Sequence, residues 1–313
     1  MTTAAADRVL TEQPHRVIVD PEWGYGRLDP VPSTPDLEAF YESRYRDLIG
    51  RSRRGPDLAR LLRSGPDAQL ERAWQAATLH ADVIDAIEAG VGEGAPRTVL
   101  DIGCGTGELM RSLAGAGWEA RGTEPAAQIA AAGRADGLDI AVTTARAFLE
   151  SWLAAGGARF GAVTLMNVLE HVPDPIGLLR DIGAVVAPGG RLVIRVPNDF
   201  NPLQRAALAA LGGDPWWVVA PDHINYFDHA SLRSVVERLG FDVVGQAADY
   251  PMELFLLMGS DYRHRPRVGA SVHHRRRALE LALDPATRRS MGRAWASAGI
   301  GRNSFLVARR SGP

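Results

Sequence analysis

The sequence predicts an α/β fold in which helices cover both faces of a doubly wound, mostly parallel sheet. Two observations carry this prediction. Segments of strand character and helix character alternate from residue 98 to residue 247, as in sheets built from strand–helix–strand units. A glycine-rich turn at 103–107 follows the first of these strands and opens a helix, at the kind of position where open parallel sheets bind small molecules.

The elements are predicted in chain order from hydrophobic periodicity and from the residues that begin and end them. A short strand at 17–19 precedes a loop over 21–35 that is rich in proline and glycine. Thr34 can cap a helix that starts at Pro35 and extends to Leu48, and a second helix covers about 67–89. The alternating part has strands at 98–102, 118–123, 139–143, 160–166, 191–196 and 241–247, with helices at 107–116, 125–134, 145–155, 230–239 and from Pro175 to a stop at Pro188-Gly189-Gly190.

Two stretches interrupt this alternation, and we predict insertions there, at 197–229 and 249–300. A closing strand is predicted at 303–308. The chain is therefore expected to consist of a tail, loop and helical cap at 1–94, followed by one domain at 95–313.

The glycine-rich turn carries residues suited to a ligand that contains a nucleoside. It reads GCGTG after the strand-terminal Asp101, and glycines let the backbone approach a ligand closely. Glu108 follows the third glycine, so the spacing differs from the G-x-G-x-x-G of dinucleotide sites. Glu124 ends the next strand, where an ionised carboxylate can accept hydrogen bonds from both hydroxyls of a ribose.

The segment VLDIGCGTGELM at 99–110 resembles the first motif of the class I S-adenosylmethionine-dependent methyltransferases, and the resemblance covers about 95–247. Glu124 is similar to the ribose-binding acid of that family, 160–170 to its fourth strand, and 187–192 to the turn into its fifth. The resemblance implies S-adenosylmethionine as cofactor and a Rossmann-like sheet with one antiparallel C-terminal strand beside 241–247. It also implies the cofactor-binding residues Asp101, Gly103, Cys104, Gly105, Gly107, Glu124, Pro125, Asn167 and Val168.

Two histidines are candidates for the chemistry. Methyl transfer from a sulfonium mainly requires an aligned acceptor and exclusion of water, with a base where the acceptor must lose a proton. His171 follows the predicted fourth strand, and His223 lies in the loop 221–227 beside Asp222. Each suits a general base, because histidine titrates near neutral pH. Each is also explained by a hydrogen bond that stabilises its loop.

Aromatic and methionine side chains in the predicted insertions suit the apolar wall of an acceptor pocket. The segments 221–227 and 250–262 resemble bacterial methyltransferases that modify sugars and natural products, which implies a small-molecule hydroxyl or amine in antibiotic biosynthesis or other secondary metabolism. The basic patch at 263–277 is predicted to be a solvated lid surface, with binding of a phosphate or carboxylate as the alternative. The predicted substrate contacts are Trp217, Tyr226, Tyr250, Met252 and Tyr262.

Composition narrows the remaining functions. The 313 residues carry a formal net charge of −2, and all 35 basic residues are arginine, so lysine catalysis is excluded and nucleic-acid binding is not favoured. Cys104 is the single cysteine, which excludes an intramolecular disulfide and favours a cytoplasmic location. No signal peptide, membrane segment or membrane partner is predicted. His273 and His274 are adjacent and poorly placed for one ion, so no metal is predicted.

Two alternative functions stay open on the sequence alone. A NAD(P)-dependent oxidoreductase can use a similar sheet, although the third glycine of its fingerprint is missing here. A non-catalytic S-adenosylmethionine-binding protein would keep the fold and pocket without the reaction. A homodimer is a further expectation, which rests only on how common such assemblies are.

Overall fold

The computed structural model describes residues 8–33, 35–37, 61, 65–91 and 95–311. The strands in these ranges are β1 (Val9–Thr11), β2 (Val17–Val19), β3 (Gly26–Leu28), β4 (Thr98–Ile102), β5 (Glu119–Thr123), β6 (Asp139–Ala141), β7 (Phe160–Met166), β8 (Val186–Pro197), β9 (Asn225–Tyr226), β10 (Phe241–Ala248) and β11 (Asn303–Arg310). The α-helices are α1 (Pro66–Gln75), α2 (Ala81–Glu88), α3 (Glu108–Gly115), α4 (Ala127–Ala135), α5 (Ala145–Ala154), α6 (Pro175–Val185), α7 (Pro202–Leu211), α8 (His229–Arg238), α9 (Glu253–Leu257), α10 (Pro266–Ala282) and α11 (Pro285–Ser297). A π-helical turn at Ala76–His80 joins α1 to α2, and a 3-10 turn at Leu169–His171 follows β7.

Seven of these strands form the central sheet, in the order β10-β11-β8-β7-β4-β5-β6. The pairs β4–β5, β4–β7, β5–β6 and β7–β8 are parallel. Strand β11 is antiparallel to both β8 and β10. The predicted fold class is confirmed, including the single antiparallel strand near the C-terminus.

Alternate residues of the central strands point to opposite faces of the sheet, and each face has its own apolar core. Val99 and Val193 pack with residues of α2 and α3 on one face, whereas Leu100 and Leu192 pack with residues of α5, α6 and α8 on the other. Because both faces are covered, a ligand can reach the parallel strands only at their ends.

A second sheet of four strands has the order β1-β2-β3-β9. Its strand β3 lies within 21–35, so the prediction of a loop for that whole stretch is wrong. Gly26 pairs with Tyr226 of β9, and a Cβ on Gly26 would lie 3.1 Å from the Cβ of Tyr226. A contact between segments so far apart in the chain leaves no local signal.

Two further predictions need correction. Helix α6 ends at Val185 and β8 begins at Val186, so Pro188-Gly189-Gly190 lies within the strand and does not stop the helix. The insertion at 197–229 contains α7, which the sequence analysis did not predict. Asn201 and Gln204 form a capping box at its start, and Asn-Pro-x-Gln was a readable signal for a helix N-terminus.

The basic patch is not simply a solvated surface. Arg276 is only 5% exposed; its guanidinium donates to Glu280 at 2.9 Å and to Asp249 at 3.4 Å. The Nε2 atom of His273 lies 2.8 Å from a carboxylate oxygen of the buried Glu71. These contacts fix α10 against α1 and the sheet, whereas the side chains at 264, 265, 267 and 275 are exposed as predicted.

The predicted cap helix at 34–48 lies mostly outside the described residues, which include only 35–37 of it, in helical conformation. The second predicted helix, 67–89, corresponds to α1, the π-helical turn and α2. The division at residue 94 stays a prediction. In the described part of the chain, no helix is long and apolar enough to cross a membrane.

Candidate active site

The turn after β4 depends on glycine at specific positions. Gly103, Gly105 and Gly107 have φ angles of 67°, 56° and 79°, in the left-handed region that other residues adopt at a cost. A Cβ on Gly103 would lie 2.6 Å from Cγ2 of Val168, whereas one on Gly105 would meet no atom within 4 Å. The turn therefore packs against the loop after β7 and leaves open space beside Gly105.

Glu124 clamps this turn to the start of α4. Its Oε2 accepts the backbone N–H of Gly105 at 3.2 Å, and its Oε1 accepts that of Ala126 at 2.9 Å. Burial raises the pKa of Glu124, and the two backbone donors oppose that rise. The ribose contact expected of this carboxylate stays a prediction; in the structure Glu124 fixes the glycine turn.

Asp101 lies beneath the turn at the end of β4. The hydroxyl of Thr164 donates to its Oδ1 at 2.6 Å. Burial, aided by the neighbouring charge of Glu124, raises the pKa of Asp101 to about 7 although the Thr164 hydroxyl opposes the shift. Near neutral pH this carboxyl is therefore poised between its two protonation states.

One cavity at the carboxyl ends of the parallel strands brings most of the predicted cofactor residues together. It is lined by Asp101, Gly103, Cys104, Gly105, Glu124, Pro125, Asn167 and Val168. Gly107 does not line it; this residue precedes the first residue of α3. The cavity also takes Trp74, Thr78 and His80 from α1 and the π-helical turn, which the sequence analysis did not assign to the site.

A chain of hydrogen bonds holds the loop after β7. Asn167 has a φ of 60°, and its amide donates to Oε1 of Glu170 at 3.0 Å while its oxygen accepts from Arg195. Arg195 in turn donates to Asp249 at the end of β10. Burial opposes ionisation of Asp249, but Arg195 and Arg276 hold its pKa below the usual range. Asn167 is thus linked through Arg195 to Asp249, at the start of the insertion 249–300.

His171 lies at the end of this loop, next to the insertion 197–229. Its Nδ1 donates to the carbonyl oxygen of Asp222 at 2.7 Å and lies 3.3 Å from the Asp222 carboxylate. Its Nε2 lies 3.8 Å from Oε1 of Glu170. Burial opposes protonation, but the Asp222 and Glu170 carboxylates outweigh it and raise the pKa of His171 to about 9.

His223 joins the same group, although 51 residues separate it from His171 in the chain. The two rings meet edge to face with centroids 4.9 Å apart, and both line the cavity. Ligand atoms of Glu170, His171 and His223 all lie within 4.8 Å of one another, a spacing that could hold a metal ion. From the sequence, the neighbours His273 and His274, and Asp222 and His223, are poor metal ligands because adjacent side chains rarely converge on one ion; the absence of a metal stays a prediction.

Four of the five predicted substrate contacts line the cavity: Trp217, Tyr250, Met252 and Tyr262. Tyr226 does not. It is 2% exposed in the core beneath the 219–223 turn, where its hydroxyl donates to the carbonyl oxygen of His223 at 2.9 Å and accepts the N–H of Val219 at 3.3 Å. Pairing of β9 with β3 turns this side chain inward, so Tyr226 supports His223 from below and is no direct contact.

A family model for a methyltransferase domain matches residues 67–246, more than half of the chain. The chain belongs to the class I S-adenosylmethionine-dependent methyltransferases. The predicted family and its cofactor, S-adenosylmethionine, are thereby confirmed. The oxidoreductase alternative has no support in these comparisons.

Relatives of this methyltransferase are known in sequence and in structure. It is 26% identical over 155 residues to a ubiquinone biosynthesis O-methyltransferase of Vibrio parahaemolyticus, covering 48% of this chain and 65% of the relative. It is 36% identical over 119 residues to the Serratia proteamaculans protein of that name, covering 37% and 48%. The matches thus span less than two thirds of each relative. A solved S-adenosylmethionine-dependent methyltransferase from Archaeoglobus fulgidus shares the fold with a TM-score of 0.52 and 17% identity, over 85% of this chain and 100% of that one.

Proposed function

We propose that this methyltransferase transfers the methyl group of S-adenosylmethionine to a hydroxyl or amine of a small molecule, with a hydroxyl favoured. One observation carries the proposal: the glycine turn, its two carboxyls and the His171–His223 pair all line one cavity. A donor bound at the turn and an acceptor bound at the histidines would share that space. The relatives' names, ubiquinone biosynthesis O-methyltransferase, support oxygen as the acceptor atom.

In this proposal Asp101, Glu124 and the backbone at 103–105 hold the cofactor. The open space beside Gly105 admits polar groups of a ligand close to the backbone. Glu124 keeps lone pairs for ribose hydroxyls beyond the two that it gives to backbone N–H groups. Asp101 offers negative charge to a cationic ligand. When bound, the cofactor supplies an electrophilic methyl group on positively charged sulfur.

His171 is the proposed general base. Because its Nδ1 donates to Asp222, its Nε2 carries the lone pair of the neutral ring. That atom takes the acceptor proton while the new oxygen–carbon bond forms and the carbon–sulfur bond breaks, with the sulfur keeping the electron pair. Asp222 and Glu170 then stabilise the imidazolium. His223 is the second candidate, since it lines the same cavity beside His171.

The raised pKa of His171 predicts the pH dependence of the reaction. The neutral, basic ring becomes more abundant as pH rises, so kcat/KM should increase about tenfold per pH unit below about 9 and then level off. Asp222→Asn removes a charge that raises the pKa of His171, so the same limb should move to lower pH. A limb that stays in place would contradict the coupling between Asp222 and the base.

The experiment that tests the function follows the transfer of a labelled methyl group from S-adenosylmethionine to catechol, phenol and benzylamine. His171→Asn should lower kcat by about 10²- to 10⁴-fold and leave the Kd for S-adenosylmethionine unchanged. His15→Asn is the matched control, because this histidine is exposed between β1 and β2 and does not line the cavity. Full activity in both His171→Asn and His223→Asn would show that positioning alone suffices and that neither residue is the base.

The acceptor class remains part of the proposal. The names of the curated relatives favour a hydroxyl acceptor in ubiquinone biosynthesis over the sugar or natural-product acceptor, and over the antibiotic and secondary metabolism, expected from the sequence. The cytoplasmic location, the homodimer and the lack of nucleic-acid and membrane partners stay predictions.

A further inference from the structure

Three polar side chains outside the predicted site meet the same cavity from three different elements. Asp199 follows β8, Gln204 lies in the first turn of α7, and Glu253 begins α9. They are only 4%, 5% and 3% exposed, and all three line the cavity that contains the two histidines. The two insertions thus deliver two buried carboxyls and one amide to the acceptor side.

Gln204 connects the two carboxyls. Its Oε1 accepts the backbone N–H of Asn201 at 3.3 Å, so its amide nitrogen is the group that can donate. Hydrogen bonds from Gln204 lower the pKa of Asp199 and of Glu253, against a larger rise that burial causes in each. The charges of Glu170 and Glu253 also raise the pKa of Asp199.

The cluster is incomplete without a ligand. Oδ2 of Asp199 and Oε2 of Glu253 are buried and have no hydrogen-bond partner in the structure. The positive charge of Arg302 lowers the pKa of Glu253, but less than burial raises it. A buried polar atom without a partner destabilises the fold, and these two atoms belong to residues of a cavity wall, where a bound ligand can satisfy them.

Asp249 provides the contrast within the same cavity. It is buried as well, but Arg195, Arg276 and Asn303 all contact its carboxylate. The fold therefore satisfies a buried acid where that acid is structural. It leaves Asp199 and Glu253 each with one buried carboxylate oxygen that no protein group contacts by a hydrogen bond.

We propose that Asp199, Gln204 and Glu253 form an acceptor subsite that binds a pair of hydrogen-bond donors, either two neighbouring hydroxyls or an amine, close to the atom that is methylated. Although burial raises the pKa of both carboxyls, a ligand that offers O–H or N–H donors favours their ionised form, whose oxygens only accept hydrogen bonds, whereas a carboxylate or phosphate does not. The rings of Trp217, Tyr250 and Tyr262 line the same cavity and suit the apolar body of such a molecule. This inference rests on the proposed function and names the acceptor chemistry that the site selects.

The test measures binding of small probes to the protein saturated with S-adenosylhomocysteine. Catechol supplies the paired hydroxyls, benzylamine supplies the amine, and benzoate supplies an anion on a similar ring. Catechol or benzylamine should bind at least tenfold more tightly than benzoate, and the tighter of the two identifies the donor type. Equal or tighter binding of benzoate would overturn the proposal.

Variants then assign the effect to the subsite. Asp199→Asn and Glu253→Gln should each weaken binding of the preferred probe at least tenfold, while the Kd for S-adenosylhomocysteine stays unchanged. Asp214→Asn, an exposed acid in the same insertion, should change neither constant. Unchanged probe binding in both subsite variants would overturn the proposal.

Thermal unfolding separates this role from a structural one. Since Asp199 and Glu253 are buried without full hydrogen bonding, neutral amides there should leave the melting temperature unchanged or raise it. A clear drop in both variants would show that the carboxyls stabilise the fold and are not held for a ligand. If both variants still transfer the methyl group with an unchanged KM for the acceptor, the subsite proposal is wrong but the proposed function stands. If the unaltered enzyme transfers no methyl group, the proposed function itself is wrong.

Discussion

Replacing Glu124 by glutamine should reduce both the stability of the free protein and its affinity for S-adenosylmethionine, through two separate losses. Both carboxylate oxygens accept backbone N–H groups, from Gly105 at 3.2 Å and from Ala126 at 2.9 Å. Glutamine has one acceptor oxygen and one NH2 donor, so one of these two N–H groups must lose its partner. Because Glu124 is 9% exposed, that loss should lower the free energy of unfolding by about 1–3 kcal/mol.

The affinity loss comes from the ribose contact. A hydrogen bond to a charged acceptor contributes about 1.5–3 kcal/mol, so its removal should raise the Kd for S-adenosylmethionine about 10- to 150-fold. Calorimetric titration measures the Kd, and urea unfolding measures the stability. Glu119→Gln is the control, because Glu119 is exposed at the start of the same strand and should change neither quantity.

These two measurements also separate the two tasks of Glu124. Lower stability with an unchanged Kd would show that Glu124 only anchors the glycine turn, and the assignment to the ribose would be wrong. No change in either quantity would contradict the hydrogen bonds themselves.

Three further predictions follow from the same region. Burial raises the pKa of Asp101 to about 7, and a cationic ligand favours the ionised form of this carboxyl. The affinity for S-adenosylmethionine, measured by calorimetry, should therefore rise with pH up to about 7 and then level off, and Asp101→Asn should show no such rise. Gly103→Ala should lower the free energy of unfolding by about 2–5 kcal/mol, because alanine is strained in the left-handed region and its Cβ clashes with Val168. Gly105→Ala should lose only the part due to backbone strain, so equal losses in urea unfolding would refute the clash. Burial lowers the pKa of His80 to about 4, so the unfolded chain takes up the proton first, and the free energy of unfolding should fall by about 3 kcal/mol as pH drops from 6.5 towards 4. An equal fall for His80→Gln in urea unfolding over that pH range would refute this prediction.

The sequence predicted the sheet and the cofactor turn because their signals are local. A buried strand, a turn that needs left-handed backbone at 103–107 and a helix start all lie within 99–110. Glu124 was predictable as well, because parallel strands end at the same edge of a sheet. The hydrogen bond from Gly105 to Glu124 was not predictable, because it depends on how the ends of β4 and β5 are aligned with each other.

The acceptor side was harder to predict because its residues come together only in the folded chain. Tyr226 looked like a pocket residue, but pairing of β9 with β3 turned it into the core. Glu170 and His171 share the 3-10 turn after β7, and only His223 reaches them from a distant loop. Asp199 and Glu253 come from separate insertions. Which of their carboxylate oxygens lack a hydrogen-bond partner depends on the folded structure and cannot be read from the sequence.

The most direct test of the central claim is a parallel calorimetric titration of the purified protein with S-adenosylmethionine, S-adenosylhomocysteine and NAD. We expect both adenosyl ligands to bind in the micromolar range, which corresponds to about −8 kcal/mol, and NAD to give no signal. Preferential binding of NAD, or no binding of either adenosyl ligand, would contradict the assignment of the cavity at the ends of β4 and β5.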